Sequence, residues 1–196
     1  MENVLENIKN EFTINGILDK RYHHTIGVIE AALELNRIHH LQIDEKKVIL
    51  AAGYHDIAKF LPKERMLDIL KEKYPEDAKE LQKYPSIWHS FVGAIYAKEK
   101  YLVDDKEVLD AICFHTTGRP KMTDLEKIIF ISDYIEEKTR VGAYVIQPRS
   151  LAKKDLNEAI VAIIKQTIDY LQKNKQDVYH LTKETYLYYQ NEVCHV

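Results

Sequence analysis

The stretch Ala51-Ala52-Gly53-Tyr54-His55-Asp56-Ile57-Ala58-Lys59 places a histidine and an aspartate side by side at the end of a small, apolar helical segment. An imidazole and a carboxylate are both common ligands of divalent metal ions. The pair alone is weak evidence, because a chain with 9 histidines and 31 acidic residues produces such a dipeptide by chance. A surface pair at a helix end is then the simpler interpretation. A metal site is predicted only if other ligands reach the same place.

The rest of the chain has a helical pattern. Glycine and proline number only six and five in 196 residues, and apolar residues mostly recur at intervals of three and four. With 45% apolar and 30% charged residues, the chain can bury a substantial core. We therefore expect one all-α domain, a helical bundle, over residues 1–196.

Composition excludes several classes of protein. The two cysteines, Cys113 and Cys194, provide neither a disulfide framework nor a sulfur-rich zinc site, so any metal must be held by nitrogen and oxygen. A net charge of −3 argues against nonspecific binding of nucleic acid. The start of the chain lacks the basic and apolar pattern of a secretion signal, and no apolar stretch is long enough to span a bilayer. We expect a cytoplasmic protein without a membrane or nucleic-acid partner.

Apolar stripes and capping signals locate the helices. The sequence predicts helices over about 19–37, 45–58, 88–101, 105–115, 153–173 and 182–189. A further helix starts near Asp124, because Thr123 and Glu126 have the spacing of a capping box. We expect a short helix and a loop over 62–85, and irregular structure over 142–150.

Six potential ligands fall on inward faces or at helix ends: His24, His55, Asp56, His89, His115 and Asp133. Any one of these histidines is more simply a hydrogen-bonded core residue. Asp133 is harder to explain in that way, since burying its charge beside Ile129 costs several kcal/mol, roughly, unless a cation compensates it.

Together these residues suit a metal centre. One histidine, the His-Asp pair and a distal aspartate form a set suited to iron, manganese, zinc or magnesium. The two remaining histidines would fit a second ion, and Asp56 could bridge two ions about 4 Å apart. Paired ions of this kind favour the hydrolysis of phosphate esters.

These motifs resemble the HD phosphohydrolase superfamily and, within it, the YqeK-type symmetrical bis(5′-nucleosyl)-tetraphosphatases. The resemblance covers Arg21–Thr25, Ala51–Lys59, His89–Ala94, His115–Gly118, Ile128–Glu136 and Tyr179–Tyr189. Its most specific element is His115-Thr116-Thr117-Gly118 combined with Asp133-Tyr134-Ile135-Glu136. Ser90 and Glu137 depart from the family pattern, which more often has glycine and proline there.

The resemblance implies an HD-domain helical bundle with two metal ions, iron being the suggested metal. His24, His55, Asp56 and Asp133 would bind the first ion, and His89 and His115 the second, with Asp56 bridging. His24 is chosen over His23 because it lies on the inward stripe. The implied reaction is symmetrical cleavage of diadenosine tetraphosphate to two ADP by a metal-activated water.

Several further residues are candidates for contact with the substrate. We expect Asp56 and Lys59 to be catalytic and Lys59 to meet phosphate charge, although it could simply be a cation at a helix C-terminus. Arg119 and Arg140, with Lys121 and Arg149 as further candidates, could also bind phosphate. Thr116, Thr117 and Gly118 could donate hydrogen bonds to phosphate or only end a helix. One of the 13 tyrosines could stack on adenine, but the sequence does not show which.

Three alternatives stay open. The chain could be an HD phosphohydrolase acting on nucleoside monophosphates, deoxynucleotides or cyclic dinucleotides. It could be a nucleotide-sensing module without turnover, which would be expected to lack ligands, whereas all six are present here. It could be a helical interaction protein with core histidines. A homodimer is also open.

Overall fold

A computed structural model describes residues 2–194. Their α-helices are α1 (Glu2–Glu11), α2 (Lys20–Ile38), α3 (Glu45–Tyr54), α4 (Lys63–Lys73), α5 (Ala78–Leu81), α6 (Trp88–Tyr101), α7 (Lys106–Phe114), α8 (Asp124–Ile135), α9 (Ile146–Ala152), α10 (Leu156–Lys173) and α11 (His180–Cys194). Strands β1 (Thr13–Ile14) and β2 (Ile17–Leu18) form a small antiparallel hairpin. Short 3-10 turns cover Ile57–Phe60, Pro85–Ile87 and Ala143–Val145. The predicted all-α helical fold is confirmed.

Helix α2 lies at the centre of the bundle. The side chain of Asp19 caps its first turn by accepting the N–H of Arg21. Apolar residues on several sides of α2 let it pack against both α3 and α8. His24, in its second turn, is buried by this packing.

Helix α8 is almost entirely enclosed. The predicted capping box is present, because Thr123 accepts the N–H of Glu126 while the Glu126 carboxylate accepts the N–H of Thr123. The helix packs against α2, α7 and α10. Its last turns carry Asp133 toward the centre of the bundle.

The α6–α7 hairpin brings two distant histidines together. Leu102 adopts the left-handed conformation that ends α6, and Asp105 caps α7 by accepting the N–H groups of Glu107 and Val108. Because four residues join the two helices, the start of α6 lies beside the end of α7. His89 and His115 occupy those two ends.

The end of α3 differs from its prediction. The helix stops at Tyr54 instead of near Ala58, and the chain turns through His55 and Asp56 into the 3-10 turn. Adjacent residues on an α-helix point in different directions. The turn allows His55 and Asp56 to face the same centre, which a continued helix would prevent.

Other boundaries were also predicted incorrectly. Helix α9 occupies most of the segment expected to be irregular, and its Pro148 is tolerated because the first turn needs no N–H there. Helix α10 begins at Leu156, where Asp155 supplies the N-cap, and α11 is longer than expected. Helix α1 and the hairpin were not predicted. None of the helices formed by residues 2–194 has the length and apolar character needed to cross a membrane.

Candidate metal centre

His55 is fixed by the end of the helix that precedes it. Its Nδ1 atom lies 2.6 Å from the carbonyl oxygen of Ala52, one of the last four carbonyls of α3, which have no partner within the helix. A carbonyl oxygen only accepts, so Nδ1 carries the proton and Nε2 presents a lone pair. That Nε2 atom lies 3.5 Å from Oδ2 of Asp56.

His115 repeats this arrangement at the end of α7. Its Nδ1 atom donates to the carbonyl oxygen of Ile112 over 2.7 Å, which again leaves a lone pair on Nε2. This Nε2 atom lies 3.2 Å from Nε2 of His89, and both atoms lie 3.5 Å from Oδ1 of Asp56. Two helix ends therefore aim two imidazole lone pairs at one carboxylate.

His24 completes the other side of the centre. Its Nε2 atom lies 2.9 Å from Oδ1 of Asp133 and 3.4 Å from Nε2 of His55. Its Nδ1 atom lies 3.1 Å from Oε1 of Glu136, a fully buried carboxylate. Gly27, three residues after His24, makes room for that carboxylate, since a Cβ atom there would overlap Glu136 Oε2.

The structure brings all six predicted ligands together. Three overlapping triads have ligand atoms that lie within 4.8 Å of one another: His24, His55 and Asp56; His55, His115 and Asp133; and Asp56, His89 and His115. Asp56 is central, since Oδ2 faces His24 and His55 while Oδ1 faces His89 and His115.

These residues fit divalent metal ions. Asp56 is only 1% exposed, and its Oδ1 atom accepts no hydrogen bond from any described residue. A buried carboxylate oxygen facing imidazole lone pairs is unfavourable unless a cation lies between them. A set of imidazole nitrogens and carboxylate oxygens suits iron, manganese, zinc or magnesium. Asp56 could bridge two such ions.

The protonation states also suit metal binding. Burial raises the pKa of Asp56 and of Asp133, but the nearby histidines and Lys59 outweigh it and hold both pKa values well below the usual range. Burial lowers the pKa of His55, and burial together with the charge of Lys59 lowers the pKa of His89 to about 3. Both carboxyl groups are therefore ionised and both imidazoles neutral near pH 7.

The pKa of His24 moves in the opposite direction. Burial lowers it, but the hydrogen bond to Asp133 and the charges of Asp133 and Asp56 together raise it above its ordinary value. Because an imidazole must be neutral to bind a metal, an ion binding at His24 would release this proton.

A cavity of about 350 Å³ opens beside the centre. Its walls comprise Lys20, Arg21, His24, Asp56, Lys59, Thr139, Arg140 and Tyr144. Lys59 Nζ lies 2.8 Å from Oδ2 of Asp56, and Arg140 Nη2 lies 2.9 Å from Oδ1 of Asp133. Four cationic side chains next to the ligand cluster make the cavity suitable for an anion such as a phosphate chain.

The turn after α7 lies outside the lining of this cavity. The Thr116 hydroxyl donates to Ser90 Oγ over 2.9 Å, and the Thr117 hydroxyl donates to the carbonyl of Gly118 over 2.9 Å. Gly118 has a φ of +62°, and a Cβ atom there would lie 2.7 Å from Cγ2 of Thr185. Glycine is therefore required by the turn and its packing.

Arg119 is not brought into the cavity. Its guanidinium lies 2.6 Å from the buried carboxylate of Glu126 and 3.0 Å from Asp110, and it stacks on the ring of Phe114 at 4.6 Å. It lines a separate cavity of about 560 Å³. The charge of Arg119 compensates the buried carboxylate of Glu126, which would otherwise be unfavourable.

Arg149 is also engaged elsewhere. Its guanidinium donates to the carbonyl oxygens of Ile135, Glu136 and Arg140, each over 2.6 Å. It therefore satisfies carbonyls at the C-terminal end of α8 and fixes the segment that follows Asp133.

Several residues of the site were not predicted from the sequence. Glu136 follows Asp133 by three positions and so shares its side of the chain, which was an available signal. Lys20 and Arg21 form a basic pair in the first turn of α2, one turn before the predicted ligand His24. Tyr144 had no distinguishing signal among the tyrosines.

Comparisons with known proteins agree with this geometry. The HD domain family matches residues 21–181. The chain is 42% identical to the symmetrical bis(5′-nucleosyl)-tetraphosphatase of Bacillus subtilis, over 94% of this chain and 95% of that protein. It is 37% identical to the protein of the same name from Staphylococcus aureus, over 87% of each chain. A crystal structure of a predicted HD superfamily hydrolase involved in NAD metabolism from Clostridium acetobutylicum superposes with a TM-score of 0.85, at 34% identity and 97% coverage of both chains.

Proposed function

The chain belongs to the HD domain family, and on that basis we propose that it is a hydrolase that splits diadenosine tetraphosphate symmetrically into two molecules of ADP. The observation that carries this proposal is Asp56, whose two carboxylate oxygens each face a pair of histidine Nε2 atoms beside a cationic cavity. The names and high coverage of the relatives support the substrate.

The proposed cofactors are two divalent ions, with iron favoured over manganese, zinc or magnesium. His24, His55, Asp56 and Asp133 would hold one ion, and His89, His115 and Asp56 the other. Bound ions of this kind neutralise phosphate oxygens and lower the pKa of a water molecule, so that it can attack phosphorus near neutral pH. The low pKa values of Asp56 and Asp133 keep both carboxylates ready to bind.

The cationic side chains are proposed to orient the phosphate chain. The Lys59 side chain is 30% exposed toward solvent while its amine contacts Asp56, so it can meet a phosphate oxygen next to the ligands. Arg140 is anchored by the backbone oxygen and side chain of Asp133, and its fork can contact two phosphate oxygens at once. Arg119 is not part of this proposal, because Glu126 and Asp110 occupy its guanidinium. Thr116, Thr117 and Gly118 are proposed to shape the wall behind His115.

Product analysis tests the proposal. The purified chain, supplied with ferrous or manganous ions, is incubated with diadenosine tetraphosphate, and the products are separated by ion-exchange chromatography. We expect ADP as the only nucleotide product. Equal amounts of AMP and ATP would contradict symmetrical cleavage.

Parallel incubations separate the alternatives. Nucleoside monophosphates, deoxynucleotides and cyclic dinucleotides are supplied at the same concentration, and each should turn over more slowly than diadenosine tetraphosphate. An Asp56→Asn variant with unchanged circular dichroism serves as the inactive control. Tight nucleotide binding without any turnover would support a sensing module instead.

A further inference from the structure

The segment that joins α8 to α9, together with the first residue of α9, exposes three large side chains. Val141, Tyr144 and Ile146 are 75%, 45% and 67% exposed. Tyr144 also forms part of the cavity wall, together with Lys20, Arg21, Lys59 and Arg140. A half-exposed aromatic ring therefore lines the same cavity as four cationic side chains.

One packing contact holds the Tyr144 ring in place, and a hydrogen bond fixes the partner in that contact. It packs edge to face against Tyr134, with ring centroids 5.8 Å apart and planes at 89°. Tyr134 is itself fixed, because its hydroxyl donates to Oε1 of Gln166 over 2.8 Å. The position of the ring is thus set by α8 and α10, on which Tyr134 and Gln166 lie, and not only by its own connecting segment.

Gly142 allows the chain to approach this ring. It has a φ of +138°, which side chains rarely adopt, and a Cβ atom at this position would lie 3.0 Å from Cε1 of Tyr144. Two residues earlier, Arg140 is bound to Asp133. The segment is therefore held to the proposed metal ligand Asp133 through Arg140, and Gly142 lets its backbone pack closely against the Tyr144 ring.

We propose that Tyr144 is the residue on which one nucleobase of the substrate stacks. This inference rests on the proposed function. A nucleotide combines anionic phosphates with a planar, largely apolar base, and the cavity offers cations and an aromatic ring within one space. Base stacking on an aromatic side chain does not depend on the pattern of hydrogen-bond donors. The contact should therefore favour ligands that carry a base but discriminate little between different bases.

Kinetics of a Tyr144→Ala variant test the inference. Loss of one stacked base should raise KM for diadenosine tetraphosphate about 5- to 100-fold. Tripolyphosphate, which has no base, should inhibit wild type and variant with the same Ki. Tyr144→Phe should retain a KM near that of wild type, because the ring face is kept. The matched control is Tyr170→Ala, which removes another exposed tyrosine, on α10.

Two results would overturn the inference. In one, KM and the Ki of tripolyphosphate rise together, which shows that Tyr144 shapes the phosphate site. In the other, Tyr144→Ala leaves KM unchanged. Calorimetric titration with ADP and with pyrophosphate tests the stacking contact independently of whether the chain cleaves diadenosine tetraphosphate. Even without turnover of diadenosine tetraphosphate, Tyr144→Ala should weaken binding of ADP and not of pyrophosphate.

Discussion

Several hydrogen-bond donors converge on the buried carboxylate of Glu136. It accepts from Nδ1 of His24 at 3.1 Å, from the backbone N–H groups of Lys138 and Thr139 at 2.6 and 3.0 Å, and from the Thr139 hydroxyl. A Glu136→Gln substitution keeps the size of the side chain but removes its charge. It also replaces one acceptor oxygen with an NH2 group that must face a donor.

The expected loss appears in metal affinity. His24 would no longer have a carboxylate that fixes its Nδ1 proton and aims Nε2 at the centre. Removing such a partner of a metal-binding histidine typically costs 10- to 100-fold in affinity, or about 1.4–2.7 kcal/mol. The assay is competition with a chromogenic chelator, in which Glu137→Gln, a change at the exposed neighbour, should behave as wild type.

Gly27 offers an independent perturbation of the same contact. In a helix interior, alanine is normally about 1 kcal/mol more favourable than glycine. Here the added Cβ would overlap Glu136 Oε2, so Gly27→Ala should lower metal affinity and destabilise the metal-free protein in urea unfolding. In a Glu136→Ala background the same change should be much less harmful.

Either of two results would show that Glu136 does not support His24 in the way proposed. One is wild-type metal affinity in Glu136→Gln. The other is an equal effect of Gly27→Ala on the free energy of unfolding in both backgrounds, since that would mean that the two residues do not interact.

His89 and Arg149 should both affect the free energy of unfolding. His89 has a pKa near 3 in the fold and about 6.5 when unfolded, so between these values only the unfolded state binds its proton. Its contribution to the free energy of unfolding is therefore present above pH 6.5 and should be lost as pH falls, by about 1.4 kcal/mol per unit. Urea titrations of the metal-free protein should show a shallower pH slope in His89→Gln, and equal slopes would contradict the assignment. Arg149→Met should lower the free energy of unfolding by about 2–4 kcal/mol, because buried carbonyls at the end of α8 lose their donor. If Arg149 instead bound phosphate, stability would be unchanged and KM would rise.

The six candidate ligands could be placed near one centre from the sequence, because their positions in the helical pattern indicated burial. Asp133 lies among isoleucines, and His24 lies on an inward stripe, so local periodicity was enough to place both near the centre. The capping box at Thr123 was equally local and fixed the start of α8. A short connection between neighbouring helices, such as the one between α6 and α7, then brings the helix ends that carry His89 and His115 together.

The roles of the surrounding charged residues could not be predicted from the sequence, because tertiary packing decides which group each cation contacts. Arg119 and Arg149 resemble phosphate-binding residues in sequence, yet one compensates Glu126 and the other caps α8. The end of α3 was misplaced because an apolar pattern continues through Ile57 and Ala58 in the 3-10 turn. Tyr144 could not be singled out, since only the fold gives it a place in the cavity.

The proposed two-metal centre can be tested by a crystal structure of the purified chain, combined with elemental analysis and anomalous scattering. We expect two ions per chain, about 4 Å apart, with Asp56 bridging them. His24, His55 and Asp133 should bind one ion, and His89 and His115 the other. Protein that remains free of metal after gentle purification and reconstitution, or ions bound without contact to Asp56, would contradict it.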